Sequence, residues 1–328
     1  MIVTLTPNPS VDRTVVLAGE LVRGGVHRVA DTLDQPGGKG VNISRACVAA
    51  GVPTRAVLPA EADGPFVREL EALGVPCSTV TPAGPVRVNL TLTEPDGTTT
   101  KLNASGSRLT AAGLAALADR VLAEAADWVV LAGSLPPGAP GDWYGVLAAR
   151  LRAAGRRVAV DTSEDALAAV VASLAPDTAP SLLKPNAEEL ATVTGADADA
   201  LEQDPQLVAD AARSLVDRGV GAVLATLGGA GAVLVDATGA WHATPPPTRV
   251  ISTVGAGDSS LFGYLLADLR DAAPADRLAS AVAWGSAAAS LPGTTVPVPD
   301  DVRTDQVRVR PLATASTPAH EGDPSWQS

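Results

Sequence analysis

The chain opens on a short run, Ile2-Val3-Thr4-Leu5, cut off by Thr6-Pro7-Asn8-Pro9. An uninterrupted apolar run that stops at proline predicts a strand buried on both faces. Similar runs recur at 54–58, 128–131, 157–160 (ending at Asp161), 182–183 and 222–226. Between them apolar residues fall at helical spacing. Helices are expected over 65–73 closed by Gly74, 110–125 capped by Thr110, 143–154 stopped by Gly155, and 209–217 closed by Gly219. Segments 232–235 and 241–243 read as a hairpin, and two alanine-rich helices, 258–271 and 275–290, follow. This alternation of strand and helix predicts an α/β fold, a mostly parallel sheet between two helical layers.

Two segments break the alternation. Residues 15–33 alternate only loosely and are interrupted by Gly24-Gly25. Residues 87–93 alternate strictly, Pro95-Asp96-Gly97 turns, and 98–102 returns, which is a hairpin signal. Segments of about 13–34 and 85–104 are therefore expected to form a small, discontinuous β-sheet outside the main one, placed as a lid. The rest of 1–303 reads as one domain, and the polar, proline-bearing stretch 304–328 as a flexible tail.

Composition narrows the function classes. In 328 residues only 3% are aromatic, so the core is expected to be packed from Ala, Val and Leu. A formal charge of −12 makes nucleic acid and anionic membranes poor partners. No apolar run reaches membrane-spanning length. The two cysteines, Cys47 and Cys77, have no metal-binding spacing, and no basic leader precedes the first strand. A reduced, cytoplasmic chain is expected. The histidines His27, His242 and His320 form no cluster in sequence, and packing or surface roles are expected for them.

The chemistry lies in the glycine-rich loops. In Ser252-Thr253-Val254-Gly255-Ala256-Gly257-Asp258 two glycines flank one small residue ahead of a helix. The free N–H groups and dipole of a helix start attract anions, and glycine lets a phosphate approach the backbone. Asp258 would then stand beside a phosphoryl group as a base. Pro36-Gly37-Gly38-Lys39-Gly40-Val41-Asn42 places a lysine in a second such helix entrance, without Walker A spacing. Asp12, Ser134, Lys184-Pro185-Asn186 and Gly228–Gly231 fall just past strand ends, on the sheet edge where open α/β folds bind ligands. Asn186 and Glu189, at i and i+3, share a helix face that could hold Mg²⁺ through water, although on these two residues alone a helix cap with a first-turn acid is the better reading.

With those motifs in order along residues 1 to about 300, the chain resembles the ribokinase-like carbohydrate kinases of the PfkB family. The carriers are Thr6–Asp12, Gly37–Asn42, Gly133-Ser134-Leu135-Pro136-Pro137-Gly138, Lys184-Pro185-Asn186 with Glu189, and Ser252–Asp258. Ser252 stands where the family loop usually opens with aspartate. This matches the phosphofructokinase and tagatose-phosphate kinase branch, and the monovalent-cation site of some relatives is not carried over. The resemblance implies a ribokinase-like three-layer α/β/α sandwich with a β-lid, using ATP and Mg²⁺. It implies a kinase converting fructose 1-phosphate to fructose 1,6-bisphosphate, with tagatose 6-phosphate and fructose 6-phosphate as alternative substrates. A non-catalytic sugar or nucleotide sensor on the same fold is the reading of another class.

By the same resemblance Asp258 is the general base, and Gly255, Ala256 and Gly257 present N–H groups to the γ-phosphoryl. Asp12, Gly38, Asn42 and Ser134 serve the sugar. Lys39 and Arg87, with Lys101 behind them, serve its phosphate. Lys184, Asn186, Thr226, Gly228, Gly231 and Thr253 line the nucleotide. A helix start is expected to lower the pKa of Asp258. A homodimer through the sticky outer face of the lid is also expected.

Overall fold

The computed structural model describes residues 1–313. Its strands are β1 (Ile2–Leu5), β2 (Ser10–Leu17), β3 (Val29–Gly37), β4 (Thr54–Pro59), β5 (Cys77–Val80), β6 (Arg87–Thr93), β7 (Thr99–Leu102), β8 (Trp128–Ala132), β9 (Arg157–Asp161), β10 (Leu182–Leu183), β11 (Ala222–Thr226), β12 (Ala232–Asp236), β13 (Gly239–Thr244) and β14 (Arg308–Pro311). Its helices are α1 (Lys39–Ala49), α2 (Pro65–Ala72), α3 (Ala111–Ala123), α4 (Trp143–Ala153), α5 (Glu164–Ala172), α6 (Ala187–Thr194), α7 (Ala198–Gln203), α8 (Pro205–Val216), α9 (Ala256–Asp268) and α10 (Pro274–Ala289).

The main sheet runs in the order β14-β13-β12-β11-β10-β9-β8-β1-β4-β5. From β11 to β5 every neighbour is parallel, and β12, β13 and β14 add on antiparallel. Both faces are covered, which is why the central strands read as unbroken apolar runs. Period-2 alternation sorts their side chains between two cores. Val3, Leu5, Val129, Leu131, Val158 and Val160 pack with α3, α4, α5 and α8, while Ile2, Trp128, Val130 and Ala159 pack with α1, α9 and α10. Among the described residues no helix is long and apolar enough to cross a membrane.

A second sheet, β3-β2-β6-β7, stands apart from the first. Its central pair, β2 and β6, is parallel, and its outer pairs are antiparallel. Its first two strands reach from Ser10 to Gly37, beyond the 13–34 expected. The Pro7–Pro9 turn delivers Ser10 straight into pairing with Gly37 and Arg87. Asp12 therefore sits within a strand of this sheet rather than in a loop.

The expected tail also differs. Residues 308–311 form β14, which closes the sheet edge against Thr244–Trp241, because Val307 and Val309 have an apolar cluster to join. The remainder of that stretch, 314–328, lies outside the described residues, as does His320. His242 is buried on β13 with its Nε2 3.0 Å from the Ala230 carbonyl, a packing role.

Helix α9 is buried from Asp258 to Asp268. Gly263 lets it lie against α10, since a Cβ there would come 2.6 Å from the Ser280 carbonyl oxygen. Phe262 meets Trp284 edge-on at 4.8 Å. At its far end Asp268 accepts from the Trp128 indole at 2.8 Å and pairs with Arg277 at 2.9 Å and with Arg157. The helix that carries Asp258 is thus held along its length and at its far end.

Candidate active site

The carboxyl ends of β1, β8, β9, β10 and β11 open on one edge, and two cavities lie along it. The larger, about 890 Å³, is lined by Asp12, Gly38, Asn42, Arg87, Ser134, Gly255 and Asp258. The narrower, about 430 Å³, is lined by Lys184, Asn186, Glu189, Thr226, Gly228, Gly231 and Ala256. Lys39, Thr253 and Gly257 face both. The structure thus brings together every residue expected at the site except Lys101. The register places Lys101 opposite Thr91, on the same face as Asn89 and Arg87 but further out, where it is exposed and outside both cavities.

Four charged groups occupy the junction. Asp161, wholly buried at the end of β9, shares Oδ1 between Lys39 Nζ at 2.9 Å and Lys184 Nζ at 3.3 Å. Lys39 also lies 3.9 Å from Asp258 Oδ1, and Asn42 Nδ2 donates to Asp258 Oδ2 at 2.9 Å. Burial pushes the Asp161 carboxyl up, yet Lys184 and then Lys39 outweigh it and hold the group below its ordinary range. Burial would lower the Lys39 ammonium, but Asp161 and Asp258 raise it well above the usual lysine value.

Asp258 goes the other way from expectation. Its pKa is raised, first by burial and then by the Asp161 charge, against the opposing pull of Lys39. The helix start was expected to lower it, but here the carboxylate is shut away from water and shares its main cation with a second carboxylate. The acid limb of kcat is therefore expected above the ordinary carboxylate range. A base must be unprotonated, so activity falls as pH drops through this raised pKa. A kcat–pH profile flat down to the normal aspartate value of about 3.9 would contradict this.

Gly255, with φ +79°, turns the chain into α9 in a conformation that a side chain rarely adopts. The Ala256 N–H donates to the Thr253 carbonyl at 3.3 Å. Among the described residues no acceptor takes the N–H groups of Gly255 and Gly257, which leaves them for an anion.

On the wall of the larger cavity, Asp12 accepts through Oδ1 from Ser10 at 2.7 Å and Asn89 at 3.2 Å. Burial raises its pKa, and those two hydrogen bonds oppose the shift. Gly37 must be glycine for this side chain to fit, since a Cβ would fall 2.1 Å from Asp12 Oδ2. Arg87 donates to the Ala104 carbonyl at 2.7 Å and approaches Ser134 Oγ at 3.5 Å, while its buried Nε–H has no partner. A half-satisfied guanidinium beside a serine hydroxyl is a ready receiver for an anionic group.

In the narrower cavity Asn186 and Glu189 form a capping box. Asn186 Oδ1 accepts from the Glu189 N–H at 2.7 Å, and Glu189 Oε2 accepts from the Asn186 N–H at 2.8 Å. The helix-cap reading of this pair is thereby observed, and both side chains still face the cavity. Pro245, Pro246, Val250, Val282 and Ala289 add an apolar wall suited to a flat ring.

Sequence reasoning missed Asp161, Asn89 and that wall. Asn89 was recoverable, since strict alternation puts it on one face with Arg87. Asp161 carried one signal, an acid at the end of a buried strand. The wall carried none, because its residues come from separate loops and helices.

A family model described as pfkB family carbohydrate kinase matches residues 6–301. The 1-phosphofructokinase of Rhodobacter capsulatus is 38% identical over 293 residues, covering 87% of this chain and 90% of that protein. The 1-phosphofructokinase of Haloferax volcanii is 36% identical over 316 residues, covering 94% and 97%. The crystal structure of phosphofructokinase-2 from Escherichia coli in complex with fructose-6-phosphate superposes with a TM-score of 0.82 at 30% identity, over 93% of this chain and 96% of that one. The same enzyme is also known in a tetrameric inhibited form.

Proposed function

Because the chain belongs to the pfkB family of carbohydrate kinases, we propose that it transfers the γ-phosphoryl of ATP to the free primary hydroxyl of fructose 1-phosphate, giving fructose 1,6-bisphosphate and ADP. The observation that carries this reading is the meeting of two cavities at Lys39, Thr253 and Gly257, with the Asp258 carboxylate facing the larger one. The sugar phosphate takes the larger cavity and the nucleotide the narrower.

Asp12 and Asn42 bind sugar hydroxyls. Arg87 and Ser134 hold the sugar's phosphate, at the far side of the cavity from the reacting oxygen. Lys39 was expected on that phosphate, but its place between the cavities fits it to the phosphoryl in flight. The acceptor oxygen attacks the γ-phosphorus as the bond to the β-phosphate oxygen breaks. The hydroxyl proton passes to Asp258, late in a loose transition state. Lys39 and the N–H groups of Gly255 and Gly257 offset the negative charge on the moving group, and such preorganised donors are the main source of rate in this chemistry. Closure of the small sheet keeps out water, the competing acceptor.

Mg²⁺ fits this arrangement as a largely hydrated ion. The narrower cavity offers two oxygen donors, Asn186 and Glu189, and no cluster of three or more acidic, histidine or cysteine ligands occurs among the described residues. Bound there with the nucleotide, the ion would neutralise phosphate charge.

A coupled assay with fructose 1-phosphate, fructose 6-phosphate and tagatose 6-phosphate tests the proposal. Activity confined to unphosphorylated sugars would refute every sugar-phosphate version. Arg87→Ala is expected to raise KM for the sugar phosphate roughly ten- to hundred-fold, the scale of a lost hydrogen bond to a charged group. KM for ATP should stay near the wild-type value, and initial-rate kinetics with each substrate varied separate the two.

Exposed large apolar side chains occur on both faces of the small sheet, Val16 and Leu33 on the Asp12 face and Val88 and Leu102 on the other, with Val29 at its edge strand. They support a homodimer through that sheet, which would also bring Lys101 near a neighbouring site. Leu33→Glu is expected to shift the mass measured by light scattering to that of a monomer. An unchanged mass would place the interface elsewhere. Two free cysteines, Cys47 buried and Cys77 half-buried, support a reducing, cytoplasmic setting.

A further inference from the structure

Gln35 lines neither cavity, yet it joins the small sheet to the turn that follows α10. In the β2–β3 ladder it lies directly opposite Asp12, so both side chains leave the same face of the small sheet. Its Oε1 accepts from the Thr294 N–H at 3.3 Å and the Thr294 hydroxyl at 3.2 Å. Thr294 is buried although it follows α10 in a turn. The preceding residue, Gly293, packs tightly beneath the glutamine, since a Cβ there would come 3.0 Å from Oε1. The Gly293 carbonyl accepts from Ser252 Oγ at 3.1 Å, and Ser252 Oγ in turn accepts from the Val254 N–H at 3.3 Å. Val254 begins the Val254–Gly257 loop, whose donors face the phosphoryl group. An unbroken path of hydrogen bonds and peptide units thus runs from the strand opposite the sugar-binding carboxylate to the anion-binding loop.

We infer that Gln35 is a positioning residue that couples occupancy of the sugar cavity to the geometry of the phosphoryl-binding loop, through Thr294, Gly293 and Ser252. The inference rests on the assignment of the two cavities above. When the small sheet is down on the sugar, Gln35 holds the 293–294 turn, and the turn holds Ser252 in the rotamer that fixes Val254. When the sheet lifts, Thr294 loses its acceptor and the Gly293 peptide is free to rotate. The loop then loses a support that only the closed sheet provides. A differential contact of this kind is what a binding event needs to shift a second site, and the coupling is reciprocal. Its consequence is economy of ATP, because the γ-phosphoryl meets a fully formed loop only when the acceptor is in place.

The test measures binding by the full chain rather than turnover. Affinity for a non-hydrolysable ATP analogue is measured by calorimetry with and without saturating fructose 1-phosphate, in the wild type, Gln35→Met and Thr294→Ser. The wild type is expected to bind the analogue at least ~5-fold more tightly with the sugar phosphate present, the lower end of ordinary coupling between sites. Gln35→Met keeps the bulk and loses the acceptor oxygen. It should bring the factor to within ~2-fold of unity while leaving each ligand's separate affinity near wild type. Thr294→Ser keeps both donors and should retain the wild-type factor. An equal factor in the wild type and Gln35→Met, or no coupling in the wild type, overturns the inference. Amide exchange at Val254 in the protein saturated with the sugar phosphate that it turns over in the coupled assay supplies a second readout. It should accelerate several-fold in Gln35→Met, and an unchanged rate likewise overturns the inference. Should the wild type turn over no fructose 1-phosphate, the functional proposal fails, and the exchange measurement still decides the role of Gln35.

Discussion

Asp258→Asn is expected to lower kcat roughly 10²–10⁴-fold, the contribution of a positioned general base, while leaving affinity for the nucleotide close to wild type. Asparagine fills the same space and can turn its carbonyl oxygen toward the Asn42 amide, so the 2.9 Å contact has a replacement. Lys39 keeps Asp161 as its partner at 2.9 Å. What is lost is the ability to take a proton. Stability should move in the opposite direction from activity. The folded pKa of Asp258 lies above its unfolded value, so the group favours folding below the unfolded pKa, and that contribution is lost as pH rises through the folded one. At pH 7 the buried carboxylate works against the fold, and the variant's Tm should equal or exceed that of the wild type. Thermal unfolding beside single-turnover kinetics checks both halves. An inactive variant with a markedly lower Tm would point to a structural role, and one with unchanged turnover would remove Asp258 as the base.

The second large effect belongs to Asp161, and its stability sign is reversed. Asp161→Asn leaves two ammonium groups facing each other where one carboxylate oxygen had held both. Lys184 is only 3% exposed and has no other ion-pair partner among the described residues. Removing one member of a buried ion pair costs roughly 3–5 kcal/mol, which in a chain of this size corresponds to a fall in Tm of roughly 4–7 °C. The pH dependence follows from the depressed folded pKa of Asp161. Its stabilisation is fully present above the unfolded value and is lost as pH falls through the folded one. The gap in Tm between wild type and variant should therefore be widest near neutrality and shrink in acid. Turnover should also fall, because Lys39 is no longer held at the junction and small misplacements of a reacting group cost about 10²-fold. A variant as stable as wild type at pH 7 would show that water or a rearranged Asp258 replaces the lost charge.

The two carboxylates show why one site residue could be read from the chain and its neighbour could not. Asp258 follows Gly255-Ala256-Gly257 and opens a helix, so its surroundings are local and its residue types announce them. The contacts of Asp161 are made across 122 residues to Lys39 and, at the end of the neighbouring strand, to Lys184. The same holds for the pKa of Asp258. A helix start alone argued for a lowered value, whereas the rise comes from burial and from Asp161, and neither is visible until the end of β9 meets the start of α9.

Periodicity along the chain was enough for the parallel sheet, the two helical layers, the separate small sheet, and the alignment of glycine loops at the strand ends. Each of these follows from side chains a few residues apart competing for water or for a core, and short-range patterns record that competition directly. Folding settled everything that depends on which distant segments become neighbours. It placed Lys39 at the junction of two cavities, left Lys101 outside both, drew 308–311 into the sheet, and joined Gln35 to Thr294 across 259 residues. Strand order and layer packing decide such meetings, and at these positions no local preference encodes them.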